Sequence, residues 1–282
     1  EAFVMKPSTI KGTSLKKITL PSISAEENIS TVISRTSIDR DDNYKLSLFN
    51  VSTYNYVQKL YNQNIYPYSG NELSESTTLG YYSYGTYYTG SSSENMYKYP
   101  LVTQPSFTNI TWRGIINDAR QRYQDNLEDY DYNVTESGVS LLRPNLVIDS
   151  YCKLKNYVYK IGDDYLLDAG KLIGSQVKVA EDNLDRKKDI YSVSARSYYN
   201  TIYINIPEGY VVKGLDKLNK SIDNVCGTFT SSAELVNNQI VIKSKKVYKN
   251  SFEPVENWNE LLKMLDMAWE TSQVKILLKK AS

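Results

Sequence analysis

Along much of the chain, apolar and polar positions alternate with the two-residue period of a sheet buried on one face. Ile202, Ile204 and Ile206 alternate with Thr201, Tyr203 and Asn205, which places the isoleucines on one side of a strand and the polar set on the other. Residues 28–37 and 44–52 are rich in β-branched and apolar residues, and the polar stretch Asp39-Arg40-Asp41-Asp42-Asn43 between them predicts a hairpin. A longer β-like run covers 146–161 through Val147, Ile148, Cys152, Leu154, Val158 and Ile161. Gly162-Asp163-Asp164 then turns it into Tyr165, Leu166 and Leu167. Further strands are predicted at 175–180, 189–194, 226–233 and 239–248. The last is entered through Asn237-Asn238, a pair that tolerates the positive φ of a tight turn.

Two segments carry a helical period instead. Trp112, Ile116, Ala119, Tyr123 and Leu127 recur at helical spacing, with charges filling much of the opposite face, and predict a helix over 112–127. Near the end, Pro254 suits a first helical turn, and Trp258, Leu261, Leu262, Leu265, Ala268 and Trp269 form one apolar stripe. A last strand follows at 274–279. Between about 53 and 110 neither period is sustained, so this tyrosine-rich stretch reads as a long ordered loop with room for one short helix. The expected fold is all-β: a β-sandwich with two accessory α-helices and a long Tyr-rich loop excursion. Residues 1–27 read as a linker from an upstream domain, and 28–282 as the sandwich domain with an inserted segment at about 53–127.

Composition narrows the chemistry. The chain of 282 residues has no histidine, so it can assemble no Ser-His-Asp triad, no Cys-His pair and no histidine-ligated zinc. Its 33 basic and 32 acidic side chains leave a formal net charge of +1, which argues against a dedicated nucleic-acid surface. Cys152 and Cys226 could form at most one bridge, and free, partly buried thiols fit as well as a disulfide. No apolar run approaches the ~20 residues needed to cross a bilayer. Glu1 to Lys17 lack the marks of a signal peptide, so any export signal is expected upstream, and the start at Glu1 suits a fragment or processed product.

The tyrosines, 26 in all, are the best candidates for binding. Tyr81, Tyr82, Tyr84, Tyr87 and Tyr88 form the candidate ligand-binding cluster, because flat amphipathic rings suit sugars and peptides. Padding of sheet faces and loops is the plainer use of the same rings. Asp39, Asp41 and Asn43 match the start of a calcium loop, but Tyr44 stands where that loop needs glycine and Asn50 where it needs glutamate. Asp163 and Asp164 could support glycoside hydrolysis only with a second carboxylate across a cleft, which the sequence does not supply. Trp258 and Trp269 read as core, whereas Trp112 is ambiguous. The charged run Asp185 to Asp189 reads as a solvated turn, and the glycosylation triplets at Asn28, Asn50, Asn109, Asn133 and Asn219 carry little weight.

Four stretches carry a family resemblance: ARSYYNTIYI at 195–204, NIPEGYVVKGLDKLNKSIDN at 205–224, CGTFTSSAELVNNQIVIKSKKVYKNSFEPVENW at 226–258 and WETSQVKILLKK at 269–280. Together they resemble the C-terminal region of bacterial transglutaminase-like proteins, whose papain-like core is flanked by β-sandwich domains of unknown function. The likeness runs from about residue 130 onward, and TLPSISAEENIST at 19–31 is similar to the linker that follows the catalytic core. The family's Cys-His-Asp residues lie in that core, and none of them falls on this sequence; Cys152 and Cys226 are not its nucleophile. The resemblance implies a larger exported parent, periplasmic or extracellular, with amide-bond chemistry upstream. This chain is then expected to be a non-catalytic interaction or scaffolding module that orients the core or its substrate. Its expected partners are the upstream core and a protein or glycan ligand, with no cofactor, metal or nucleic acid. A carbohydrate-binding domain using the exposed tyrosines is the alternative; an autonomous hydrolase is disfavoured by the missing base.

Overall fold

The computed structural model describes residues 2–6, 14–18, 24–55, 119–123, 126–137, 145–192 and 194–281. Its strands, in chain order, are β1 (Ala2–Lys6), β2 (Ser14–Ile18), β3 (Ile29–Asp39), β4 (Lys45–Tyr54), β5 (Leu127–Ser137), β6 (Leu146–Leu154), β7 (Val158–Ile161) and β8 (Asp164–Leu167). Then come β9 (Ile190–Tyr191), β10 (Arg196–Asn205), β11 (Tyr210–Lys213), β12 (Lys220–Asp223), β13 (Gly227–Val236), β14 (Gln239–Tyr248), β15 (Phe252–Glu253) and β16 (Ile276–Lys280). The helix α1 (Trp258–Ser272) precedes the last of them.

An eight-stranded sheet in the order β12-β13-β14-β10-β3-β4-β6-β5 forms one layer. It is antiparallel except at its centre, where β10 and β3 run parallel with Ile202 opposite Ser34. That seam joins strands from the two halves of the chain. The second layer consists of the sheet β11-β16-β8-β7, the helix α1 and a 3-10 turn at Ala169–Ile173. Leu46, Leu48, Cys152, Leu154, Ile202, Ile204, Ile240 and Ile242 on the large sheet share one core with Leu167, Leu172, Leu261, Met264, Leu265, Ala268, Ile276 and Leu278. Each fully buried aliphatic side chain there is worth about 1.5–3 kcal/mol. The fold is therefore mostly β and two-layered, as the alternation predicts.

Contact between α1 and the sheet depends on a missing side chain. A β-carbon at Gly227 would collide with the carbonyl oxygen of Val247 and lie 2.5 Å from the Met264 sulfur. The tight turns behave as their residues dictate: Asn237 and Asn238 adopt φ of 48° and 60° between β13 and β14, and Gly162 adopts 62° between β7 and β8.

Other expectations are corrected. Residues 119–123 are helical, but Leu127, which fits the same helical spacing, opens β5. There it pairs with Leu154 of β6, and the ladder decides its conformation. The predicted strand at 175–180 pairs with nothing: these residues are extended coil. The run 146–161 is broken at Asn156, whose φ of 59° sends β6 and β7 into different sheets. Pro254 precedes a 3-10 turn at Val255–Asn257, and α1 proper starts at Trp258.

Candidate functional site

Toward the Arg196 end of β10 and the Tyr248 end of β14, the inward face of the sheet changes character. The parity that buries Ile202, Ile204, Ile240 and Ile242 also turns Arg196, Tyr198, Asn200, Ser244, Lys246 and Tyr248 inward. Cross-strand partners on this stretch are Asn200 with Ser244, Tyr198 with Lys246 and Arg196 with Tyr248. The Tyr198–Lys246 rung extends to Phe229 of β13 on one side and to Ser30 and Tyr54 on the other. Residues 173–177 and the helical segment carrying Gln121 and Arg122 form the opposite wall. The half-open groove holds about 560 Å³, within the size range of small-ligand sites.

Gly174 shapes that wall. It adopts φ of +91°, a conformation open to glycine, and the Arg122 guanidinium lies 3.4 Å from where its β-carbon would be. Arg122 is held in place: Nη2 donates to Asn200 Oδ1 at 2.7 Å and Nε to the Tyr123 hydroxyl at 3.2 Å. Behind it a buried polar chain continues, with the Tyr123 hydroxyl donating to Asn50 Oδ1 at 3.2 Å and Asn50 Nδ2 reaching Cys152 Sγ at 4.0 Å. Asn200 Nδ2 donates to Ser244 Oγ at 3.1 Å, so the floor of the groove is fixed as well.

Its cations are unusual. Lys246 is only 9% exposed, and its Nζ donates to Gln176 Oε1 at 3.0 Å. Arg196 and Lys246 share one aromatic ring, their cationic centres lying 4.7 and 5.3 Å from the centroid of Tyr248. The Arg196 Nε is buried without an acceptor. Neither cation has a carboxylate partner among the described residues, and no Asp or Glu stands among the described residues lining the groove. Burial, and secondarily the charge of Arg196, pulls the Lys246 ammonium down to about 8. Burial also raises the Tyr248 phenol.

The residues singled out from sequence fall elsewhere. Tyr81, Tyr82, Tyr84, Tyr87 and Tyr88 lie outside the described residues, as does Trp112. Cys152 and Cys226 are free and buried, and burial pushes each thiol up to about 12, far from a thiolate at neutral pH. Asp163 is exposed in its turn and pairs with Lys280, whose backbone N–H is accepted by Asp164. In the calcium-like stretch, Asp39 accepts the N–H groups of Asp41 and Asp42, and Asp42 pairs with Lys45 and Lys153. Among the described residues no cluster of three or more acidic or cysteine side chains could hold a metal ion. Trp258 is buried with its indole N–H on the Leu184 carbonyl, while Trp269 is half-buried under the Lys178 ammonium at 4.4 Å. Asn28 and Asn50 are buried, which removes them as glycan acceptors.

Arg122, Arg196 and Lys246 escaped the reading of the sequence, although a signal for two of them was present. Carrying the Ile202–Ile204 alternation backward, and that of Ile240–Ile242 forward, puts Arg196 and Lys246 on the core face of their strands.

The profile of a domain of unknown function with solved structure (DUF3858) matches residues 172–278. This stretch contains β10, β13, β14, α1 and the wall at 173–177, and leaves β3, β4 and Arg122 outside. No curated protein matches the chain. Among the described residues no helix is long and apolar enough to cross a membrane.

Proposed function

We propose that this chain is a non-catalytic interaction module of a larger exported transglutaminase-like protein, holding a polypeptide segment of the core or of its substrate in the groove between the large sheet and the wall at residues 173–177. The observation that carries this reading is the sheet face that turns from core to polar under a separate wall. Buried polar groups cost free energy unless they are hydrogen-bonded, and on this face the Arg196 Nε is left unsatisfied and two cations lack a carboxylate among the described residues. The transglutaminase context rests on the resemblance of residues 195–280. The non-catalytic role is supported by the absence of histidine and by thiols too buried to ionise.

A photo-crosslinking residue in place of Ser175, in the chain expressed together with its upstream core, tests the reading. Cross-links to the core or to a peptide substrate are expected. Cross-links confined to other faces of the chain, or turnover of an amide by the chain alone, would remove it.

The glycan-binding alternative has one observation in its favour: Tyr198 and Tyr248 stand edge to face in the groove with centroids 6.5 Å apart. Binding on a glycan array that is lost on Tyr198→Ala would favour it. The Tyr81, Tyr84 and Tyr87 cluster is tested by the same array with those three changed to alanine.

A further inference from the structure

We infer that the cationic end of the groove is a carboxylate-binding subsite, in which Arg196 and Lys246 receive the carboxylate of an acidic peptide segment. The inference rests on reading the groove as a binding face and names the chemistry of what enters it.

Three observations converge. The first is an uncompensated pair of positive charges: Arg196 and Lys246 sit on one tyrosine ring with no anionic partner among the described residues. Elsewhere a nearly buried charge is neutralised. Asp168, 1% exposed, is held between Lys171 and Lys275. The second is the orphaned Nε–H of Arg196, buried and without an acceptor. An Nε–H and its neighbouring Nη–H form the edge of the guanidinium that matches a planar carboxylate bidentately. The third is the cavity itself, whose apolar lining by Val32, Ile173 and Phe229 suits the methylene stem of a glutamate or the body of a peptide. A fully hydrated inorganic anion would leave that lining unused.

Tyr248 alone does not account for the pair. A cation over a ring face gains attraction but no hydrogen-bond acceptor, and the Arg196 donor stays unsatisfied. A carboxylate supplies the charge, and with a turn of the Arg196 side chain that exposes Nε it supplies the acceptor as well.

The probes are N-acetyl-glutamate, its neutral isostere N-acetyl-glutamine and inorganic phosphate, titrated against the full chain by NMR of labelled lysine and arginine side chains. N-acetyl-glutamate is expected to shift Lys246 and Arg196 signals, with N-acetyl-glutamine binding at least roughly tenfold more weakly. Arg196→Gln and Lys246→Met should each weaken binding by a similar factor, while Lys246→Arg, which keeps the charge, retains it. Near-ultraviolet circular dichroism identifies any variant that has lost its packing. Binding should also decline as pH rises past about 8, where free Lys246 loses its proton, since the other ionisable groups lining the groove (Arg196, Arg122, Tyr54, Tyr198 and Tyr248) are cationic or phenolic.

Equal binding of the glutamine compound, tighter binding of phosphate, or affinity indifferent to Arg196→Gln and Lys246→Met would each overturn the carboxylate assignment and leave the interaction reading standing. Carboxylate binding at Lys246 together with cross-links confined to other faces would instead overturn the interaction reading and leave the subsite.

Discussion

Burial holds the charged form of Lys246 at an energetic disadvantage. Its ammonium sits near 8 where the usual value is 10.5, because burial and the Arg196 charge disfavour the protonated form. Between those two values the unfolded chain binds more protons than the native state, so stability rises as pH climbs through that window. Below pH 8 the native state carries the full penalty, about 3 kcal/mol at 1.36 kcal/mol per unit. Replacing the group by an apolar side chain of similar length removes that penalty. Lys246→Met is therefore expected to be more stable than the parent at pH 7, by roughly 1–3 kcal/mol in denaturant titrations. The advantage should shrink steadily from pH 8 to 10.5. A Met variant that is less stable at pH 7 would mean that Lys246 is a structural contributor. A residue that weakens the fold and faces a cavity is the kind that binding explains and stability does not.

Elements differ in how much of themselves their residues reveal. The hairpin turns at Asn237-Asn238 and Gly162 were legible because positive φ selects a few residue types wherever it occurs. The apolar stripe of α1 was legible because the side that packs on the sheet is contiguous in the helical period. β5 was not, since Leu127 extends the spacing of Ala119 and Tyr123 by chance, and only its partner Leu154 decides the matter. The coil at 175–180, whose first residues belong to the groove wall, has strand-like residues with no ladder to join, and strand propensity carries no information about partners. The site was half legible: parity places Arg196 and Lys246 inward, but where the inward face changes character is a tertiary fact. Packing between layers yields a direct prediction. Gly227→Ala drives a β-carbon into the Val247 carbonyl oxygen and the Met264 sulfur, and should cost about 2–3 kcal/mol in thermal or denaturant unfolding. Unchanged stability would show that α1 does not sit that close to the sheet.

The molecule as a whole is held together by a seam that no local pattern announces. β3 and β10 pair in parallel from opposite halves of the sequence, and the same core draws on Leu46, Leu48 and Leu154 as well as on Ile202, Ile240 and Leu278. The family match at 172–278 therefore covers only part of a cooperative unit. Cut out alone, it would expose β10 along Ser197–Ile204 and strip β16 of its partner β8. Such a fragment is expected to lack a cooperative thermal transition or to aggregate. A sharp transition with native-like near-ultraviolet signals would show that the seam is dispensable. The groove shares this dependence, because its floor comes from β3, β4, β10, β13 and β14 and one wall carries Arg122.

The side-chain titration of Lys246, followed by NMR with and without saturating N-acetyl-glutamate, tests the account most directly. The free protein should show the ammonium titrating near 8, and the bound carboxylate should lift it toward the ordinary lysine range. A lysine that titrates near 10.5 in the free protein, or one that the ligand leaves unmoved, would contradict the claim that this groove keeps an unmatched buried charge for an acidic partner.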